Sequence, residues 1–188
     1  MKMHKNLMRP ITGIFQVPIA SNPFKCCAKP ILTLPGCLKL RTEKDYEEFL
    51  ELLNKFSVRY VIIGSYALAF HARPRYTKDI DILVEPSVDN AKKIITVLDE
   101  FGFGSLDLEV NDFSKPGYVI QLGYEPVRID IITSIEGLDF SEIWQNRVQG
   151  PYGNQIVNFI NLDHLIKSKQ LSNRTQDKAD LELLTSEE

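Results

Sequence analysis

Val61-Ile62-Ile63-Gly64-Ser65-Tyr66-Ala67, followed by Thr77-Lys78-Asp79-Ile80-Asp81-Ile82-Leu83-Val84, decides how this chain folds. An apolar run ends in Gly-Ser, a short helical stretch follows, and two aspartates then alternate with isoleucines. Residues two apart in a strand point to the same face. Asp79 and Asp81 therefore share one face, and Ile80 and Ile82 the other. Two adjacent carboxylates repel unless a cation lies between them, and hard cations such as Mg2+ bind through carboxylates together with substrate phosphates. Val127-Arg128-Ile129-Asp130-Ile131-Ile132 repeats the alternation with one more aspartate. If that strand lies beside the first, three carboxylates converge, as two-metal phosphoryl transfer requires. The alternative is that polar residues at strand ends simply face solvent. A single Asp would fit that alternative; the pair after Gly64-Ser65, with Asp130 downstream, favours a metal site.

From about Lys44 onward, these residues make the chain resemble the nucleotidyltransferase superfamily, the polymerase-beta-like fold. The motif there is an apolar strand, Gly-Gly or Gly-Ser, Asp-x-Asp on the next strand, and a separate third Asp. The chain is most similar to small prokaryotic nucleotidyltransferases related to the AbiEii toxins. It shares with them Tyr66-Ala67, Arg75-x-Thr77-Lys78-Asp79-Ile80-Asp81, and a C-terminal set of Lys169, Arg174, Asp177 and Asp180. Ser65 stands where they have a second Gly. The resemblance implies transfer of a nucleoside monophosphate from an NTP, with release of pyrophosphate. It implies two Mg2+ (or Mn2+) ions held by Asp79, Asp81 and Asp130. It further implies nucleotide binding by Gly64, Ser65, Arg75, Thr77, Lys169 and Arg174. The acceptor it leaves open as tRNA, a protein or a small molecule, and a toxin-like enzyme would bring an antitoxin partner.

The 188 residues suffice for one core-bearing domain, with ordinary hydrophobic (44%) and charged (25%) fractions. The longest apolar run is well short of the roughly 18 residues of a membrane span. The net charge of -3 is unevenly spread. Residues 1–41 contain seven Lys or Arg and no Asp or Glu, which leaves a net of -10 on the remainder. Such an acidic domain is a poor general binder of polyanions. Cys26, Cys27 and Cys37 lie within the basic stretch, and neither a disulfide framework nor a zinc site follows from them. The lack of a secretory signal favours the cytoplasm.

Five prolines between Pro10 and Pro35 interrupt every apolar run in residues 1–40. This segment is expected to be a disordered or artefactual tail, with the nucleotidyltransferase domain at 41–188. Tyr46, Phe49, Leu50, Leu53 and Phe56 fall at helical spacing. Strands are expected at 58–63, 79–84, 106–110, 118–123, 127–132 and 156–160. In the strand at 106–110, Asp107 and Glu109 would form a solvated edge. Helices are expected from Ser87 to Gly102, from Phe140 to Arg147 around a core Trp144, from Asn161 to Gln170, and from Thr175 to Leu184. Ser65 is expected to cap the helix after Gly64, His71 to be a packing or surface residue, and 150–154 to be a turn. Lys169, Arg174, Asp177 and Asp180 suit either a salt-bridge network or contact with phosphate.

The expected fold is mixed α/β (α+β): a twisted mixed sheet backed by helices, with a helical C-terminal end. The rival to an enzyme is a catalytically inactive nucleotide-binding or partner-binding module of the same fold. Three intact carboxylates argue against it, because clustered buried charge is costly without a counterion.

Overall fold

The computed structural model describes residues 43–73, 77–124, 127–172 and 174–185. The expected tail at 1–40, its cysteines and Arg75 lie outside these residues. Helical spacing of the apolar residues produces α1 (Lys44–Lys55), which buries Tyr46, Phe49, Leu50 and Leu53. Ser57, at φ +52°, reverses the chain after it. The continuous apolar run that follows becomes β1 (Tyr60–Ile62), buried on both faces. Gly64 turns the chain at φ +63° into α2 (Gly64–His71). β2 (Asp79–Val84) returns antiparallel to β1, with Ile62 opposite Ile82.

A long excursion then leaves the sheet. It comprises α3 (Val88–Leu98), capped by Ser87 accepting from the Asn90 N–H, and a π-helical turn at Asp99–Phe103. The short α4 (Val110–Ser114) completes it. The chain re-enters the sheet as the hairpin β3 (Val119–Tyr124) and β4 (Val127–Ile132). Next come α5 (Phe140–Gln145) and a second hairpin, β5 (Val148–Tyr152) and β6 (Gln155–Phe159). The C-terminal end is helical, α6 (Leu162–Leu171) and α7 (Thr175–Thr185). Asn161 caps α6 by accepting from the His164 N–H at 3.1 Å.

The six strands form one mixed sheet in the order β3-β4-β2-β1-β6-β5. The excursion through α3 and α4 lets β4 lie parallel to β2, and β6 is parallel to β1. Ile80, Ile82, Ile129 and Ile131 are at most 1% exposed, so one face of the β2–β4 pair belongs to the core. Burying each such side chain is worth roughly 1.5–3 kcal/mol. The opposite face of the same two strands carries Asp79, Asp81, Arg128 and Asp130, with Leu83 and Ile132 beyond them.

Three local expectations are corrected. Residues 106–110 form no strand. Glu109 and Asp112 make a reciprocal capping box that starts α4, and Phe113 is fully buried behind it. Three alternating apolar residues are a weaker signal than a satisfied helix end with a buried anchor. Gly150, Pro151 and Tyr152 lie in β5, and only Gly153 and Asn154 form the turn. Pro151 is tolerated because β5 is the edge strand. Trp144 is half-buried rather than central: it stacks on Phe140, with Arg59 at 4.9 Å and Arg147 at 3.7 Å from its ring.

Candidate active site

The parallel pairing of β2 with β4 sets Asp79 opposite Arg128 and Asp81 opposite Asp130. On the other side of β4, antiparallel pairing sets Gln121 opposite Asp130. Strand alternation therefore brings Asp79, Asp81, Asp130, Arg128 and Gln121 to one face. The register that Asp130 needs to join the other two aspartates is present.

Arg128 binds two of the carboxylates at once. Its Nη2 donates to Asp79 Oδ2 at 2.6 Å and to Asp130 Oδ2 at 3.0 Å, and its Nε donates to Asp130 Oδ1 at 2.8 Å. Thr77 Oγ1 donates to Asp79 Oδ1 at 2.8 Å, and Gln121 Nε2 to Asp130 Oδ2 at 3.3 Å. Both oxygens of Asp79 and of Asp130 thus have donors. Among the described residues no side chain donates a hydrogen bond to Asp81. Burial, and then the charges of Asp79 and Asp130, push its carboxyl up to about 6, with Lys169 and Arg128 pulling the other way. Burial also raises Asp130, against the bonds and charge of Arg128.

Gly64 lies directly beside this carboxylate. A Cβ placed there would fall 2.0 Å from Asp81 Oδ2, and the residue's φ is positive, so both space and backbone demand glycine. The Gly-Ser turn and the Asp-x-Asp strand are one packed unit. Ser65 is buried in the first turn of α2 but does not cap it, because the cap position is Ile63. The turn closes one residue earlier than the expected cap needs. His71 is a packing residue, with Nε2 2.7 Å from the Ile160 carbonyl oxygen.

Lys169 and its acidic neighbours form a salt-bridge network between α6 and α7. Lys169 Nζ donates to Asp177 Oδ1 at 2.5 Å and to Asp180 Oδ2 at 2.8 Å. Burial pushes the Asp177 carboxyl up, but bonds from Lys169 and Ser172 and the charges of Lys169 and Arg174 outweigh it and leave it lowered. The exposed Arg174 therefore acts on Asp177, and the field of Lys169 extends to Asp81.

Arg128 and Gln121 are additions to the residues singled out from the sequence. Arg128 was legible there, since it precedes Asp130 by two and shares its face. Gln121 was not, because only the hairpin register sets it opposite Asp130. Tyr46 is a third addition: its single hydroxyl proton is shared between the carbonyl of Arg128 in β4 (3.1 Å) and that of Lys78 just before β2 (3.3 Å).

A divalent ion fits the donor set. All three acids supply hard oxygen ligands from one face of the sheet. Among the described residues no group of three His, Cys, Asp or Glu side chains is arranged to hold a metal ion. The guanidinium of Arg128 stands between Asp79 and Asp130 instead.

The fold matches that of the lincosamide antibiotic adenylyltransferase LnuA in its lincomycin-bound form, with a TM-score of 0.52 at 19% identity. That match spans 77% of this chain and 97% of the other. The antibiotic-resistance factor ANT(2'')-Ia matches with a TM-score of 0.48 at 13% identity, over 74% of this chain and 80% of its own. An antigenic nucleotidyltransferase-like protein from Paracoccidioides brasiliensis matches with a TM-score of 0.45 at 16% identity, over 74% of each chain. Compared with curated proteins, the chain finds no match. Residues 42–186 match the family described as nucleotidyl transferase of unknown function, DUF2204, and the chain belongs to that family. It is thus an enzyme of the nucleotidyltransferase class. No helix among the described residues is long and apolar enough to cross a membrane.

Proposed function

We propose that this enzyme transfers a nucleoside monophosphate from an NTP to an acceptor hydroxyl. Its Mg2+ or Mn2+ ions, two in number, would be held by Asp79, Asp81 and Asp130. The observation that supports this most is the parallel register placing Asp81 opposite Asp130, with Asp79 on the same face and Gly64 against Asp81. The acceptor oxygen bonds to the α-phosphorus, the α–β phosphoanhydride bond breaks, and pyrophosphate leaves. When bound, the ions supply Lewis-acid stabilisation of the attacking and leaving oxygens. The turn at Gly64-Ser65 and the N-terminus of α2 offer backbone N–H groups to the triphosphate. Asp130, set opposite Asp81 on β4 and bonded by Gln121, would help the acceptor hydroxyl lose its proton. Thr77 holds Asp79 in place, Lys169 acts through its field at Asp81 while bonded to Asp177 and Asp180, and phosphate contact is proposed for Arg75 and Arg174.

For the acceptor, the net charge of -10 on residues 42–188 favours a small hydroxylated molecule over tRNA. The fold neighbour LnuA is a lincosamide antibiotic adenylyltransferase with lincomycin bound. The test is to incubate the protein with labelled NTPs, Mg2+ and a cell extract, and then fractionate. Label in the small-molecule fraction is the expected result. Label in tRNA or in a protein would instead select the toxin-like reading, with its antitoxin partner.

One observation favours a second reading. The Arg128 guanidinium already neutralises Asp79 and Asp130, as it would in a non-catalytic nucleotide-binding or partner-binding module. Absence of any label transfer, together with retained NTP binding, would select that module.

A further inference from the structure

We infer that Arg128 is a built-in counterion that a divalent cation must displace, so that metal and NTP bind together rather than metal alone. The inference rests on the metal-dependent reading above and deepens it. Arg128 takes up three of the lone-pair directions on Asp79 and Asp130 that a cation would need, at 2.6, 2.8 and 3.0 Å. Its planar fork makes a two-point contact with Asp130 while a further bond reaches Asp79 on the adjacent strand. The match is a product of register: Arg128 is opposite Asp79 and two residues before Asp130. Tyr46 donates to the Arg128 carbonyl at 3.1 Å, so the backbone beneath the guanidinium is anchored independently of the side chain's own contacts.

Asp81 is the one acid of the three outside this arrangement. It is where a cation meets no guanidinium, yet it is a single ligand, and one or two carboxylates plus phosphate oxygens are what Mg2+ takes. A cation arriving alone would have to strip charge-assisted bonds from Arg128 and leave that guanidinium unpartnered in a partly buried site. A cation arriving with a triphosphate brings an anion to which the displaced guanidinium can turn. Arg128 therefore couples the two ligands, and the coupling is reciprocal.

The full chain can test this with Mn2+ as the probe, by equilibrium dialysis with and without a non-hydrolysable NTP analogue. Arg128→Met is expected to bind Mn2+ in the absence of nucleotide at least about tenfold more tightly than the wild type, the scale of one lost charge-assisted pair. In the wild type the analogue should raise Mn2+ affinity by more than it does in Arg128→Met. Arg128→Lys, which keeps the charge without the fork, should lie between the two, and it serves if the Met variant does not fold. Equal or weaker nucleotide-free Mn2+ binding by the folded variants would overturn the role of Arg128 alone. Failure of wild type and variants to retain Mn2+ even with the analogue would overturn the metal-dependent reading and this inference with it.

Discussion

Two clusters in this molecule have the same composition, one base between two acids, and they are built for opposite purposes. Arg128 joins Asp79 and Asp130 on the sheet, where the three side chains are 24%, 29% and 9% exposed. Lys169 joins Asp177 and Asp180 between α6 and α7, at 9%, 11% and 1%. The helical cluster is the more buried of the two, so exchanging its partners costs more. The sheet cluster is open at one edge and lies beside Asp81, an acid with no side-chain donor among the described residues. The same ion-pair chemistry thus makes a clamp in one place and a replaceable counterion in the other. Exposure decides which, because a removed charge can be resolvated only where water or a ligand can enter.

The largest effect that would test this contrast is on turnover. Asp81→Asn should reduce nucleotide transfer roughly a hundred- to a thousandfold, as expected for removing a group that stabilises transition-state charge. Asp130→Asn should lower kcat far more than it weakens NTP binding. Wild-type turnover in either variant would remove the sheet cluster from the chemistry. On stability, Lys169→Met should cost roughly 3–5 kcal/mol in urea unfolding, since it strands two buried carboxylates. No divalent ion should restore it.

The next effect concerns pH. The folded Asp81 carboxyl is raised from 3.8 to about 6, so the folded state binds its proton more tightly than the unfolded chain. The metal-free protein therefore gains stability from this group as pH falls through about 6 towards 3.8, and loses it as pH rises. Asp81→Asn should be more stable than wild type at pH 7, on the order of 2 kcal/mol after allowance for partial exposure. The difference should shrink as pH falls through about 6 and vanish only below 3.8, as thermal melts across this range would show. Asp79→Asn should show no such gain, because it breaks an ion pair with Arg128. The smallest effect is that of Arg128→Met on metal-free stability, about 1–2 kcal/mol for a partly exposed pair. Unlike the loss at Lys169, it should shrink when Mn2+ is added. A deficit indifferent to Mn2+ would make the two clusters alike.

The period of two places Asp79 and Asp81 on a common face without any knowledge of tertiary structure. The helical spacing of Tyr46, Phe49, Leu50 and Leu53 likewise yields α1, because each signal lies within one element. The strand expected at 106–110 failed for the complementary reason. Leu106, Leu108 and Val110 alternate, but the Glu109–Asp112 capping box and the burial of Phe113 outweigh three weakly placed apolar residues. The Ser65 cap failed because the helix begins one residue before it.

By itself, then, the sequence determined the carboxylate pair, the need for glycine before it, the alternation around Asp130 and the family motif. These are properties of neighbouring residues and of backbone conformation. Only the tertiary structure decided that β2 and β4 run parallel with Asp81 opposite Asp130, that Arg128 spans Asp79 and Asp130, and that Gln121 joins them. It also decided that Lys169 is closed in by Asp177 and Asp180. Register between distant strands depends on how the Ile80–Ile82 and Ile129–Ile131 faces pack into one core, and a slip of one residue would turn every one of these polar groups to the wrong side. That packing belongs to the whole fold, and no local stretch of the chain contains it.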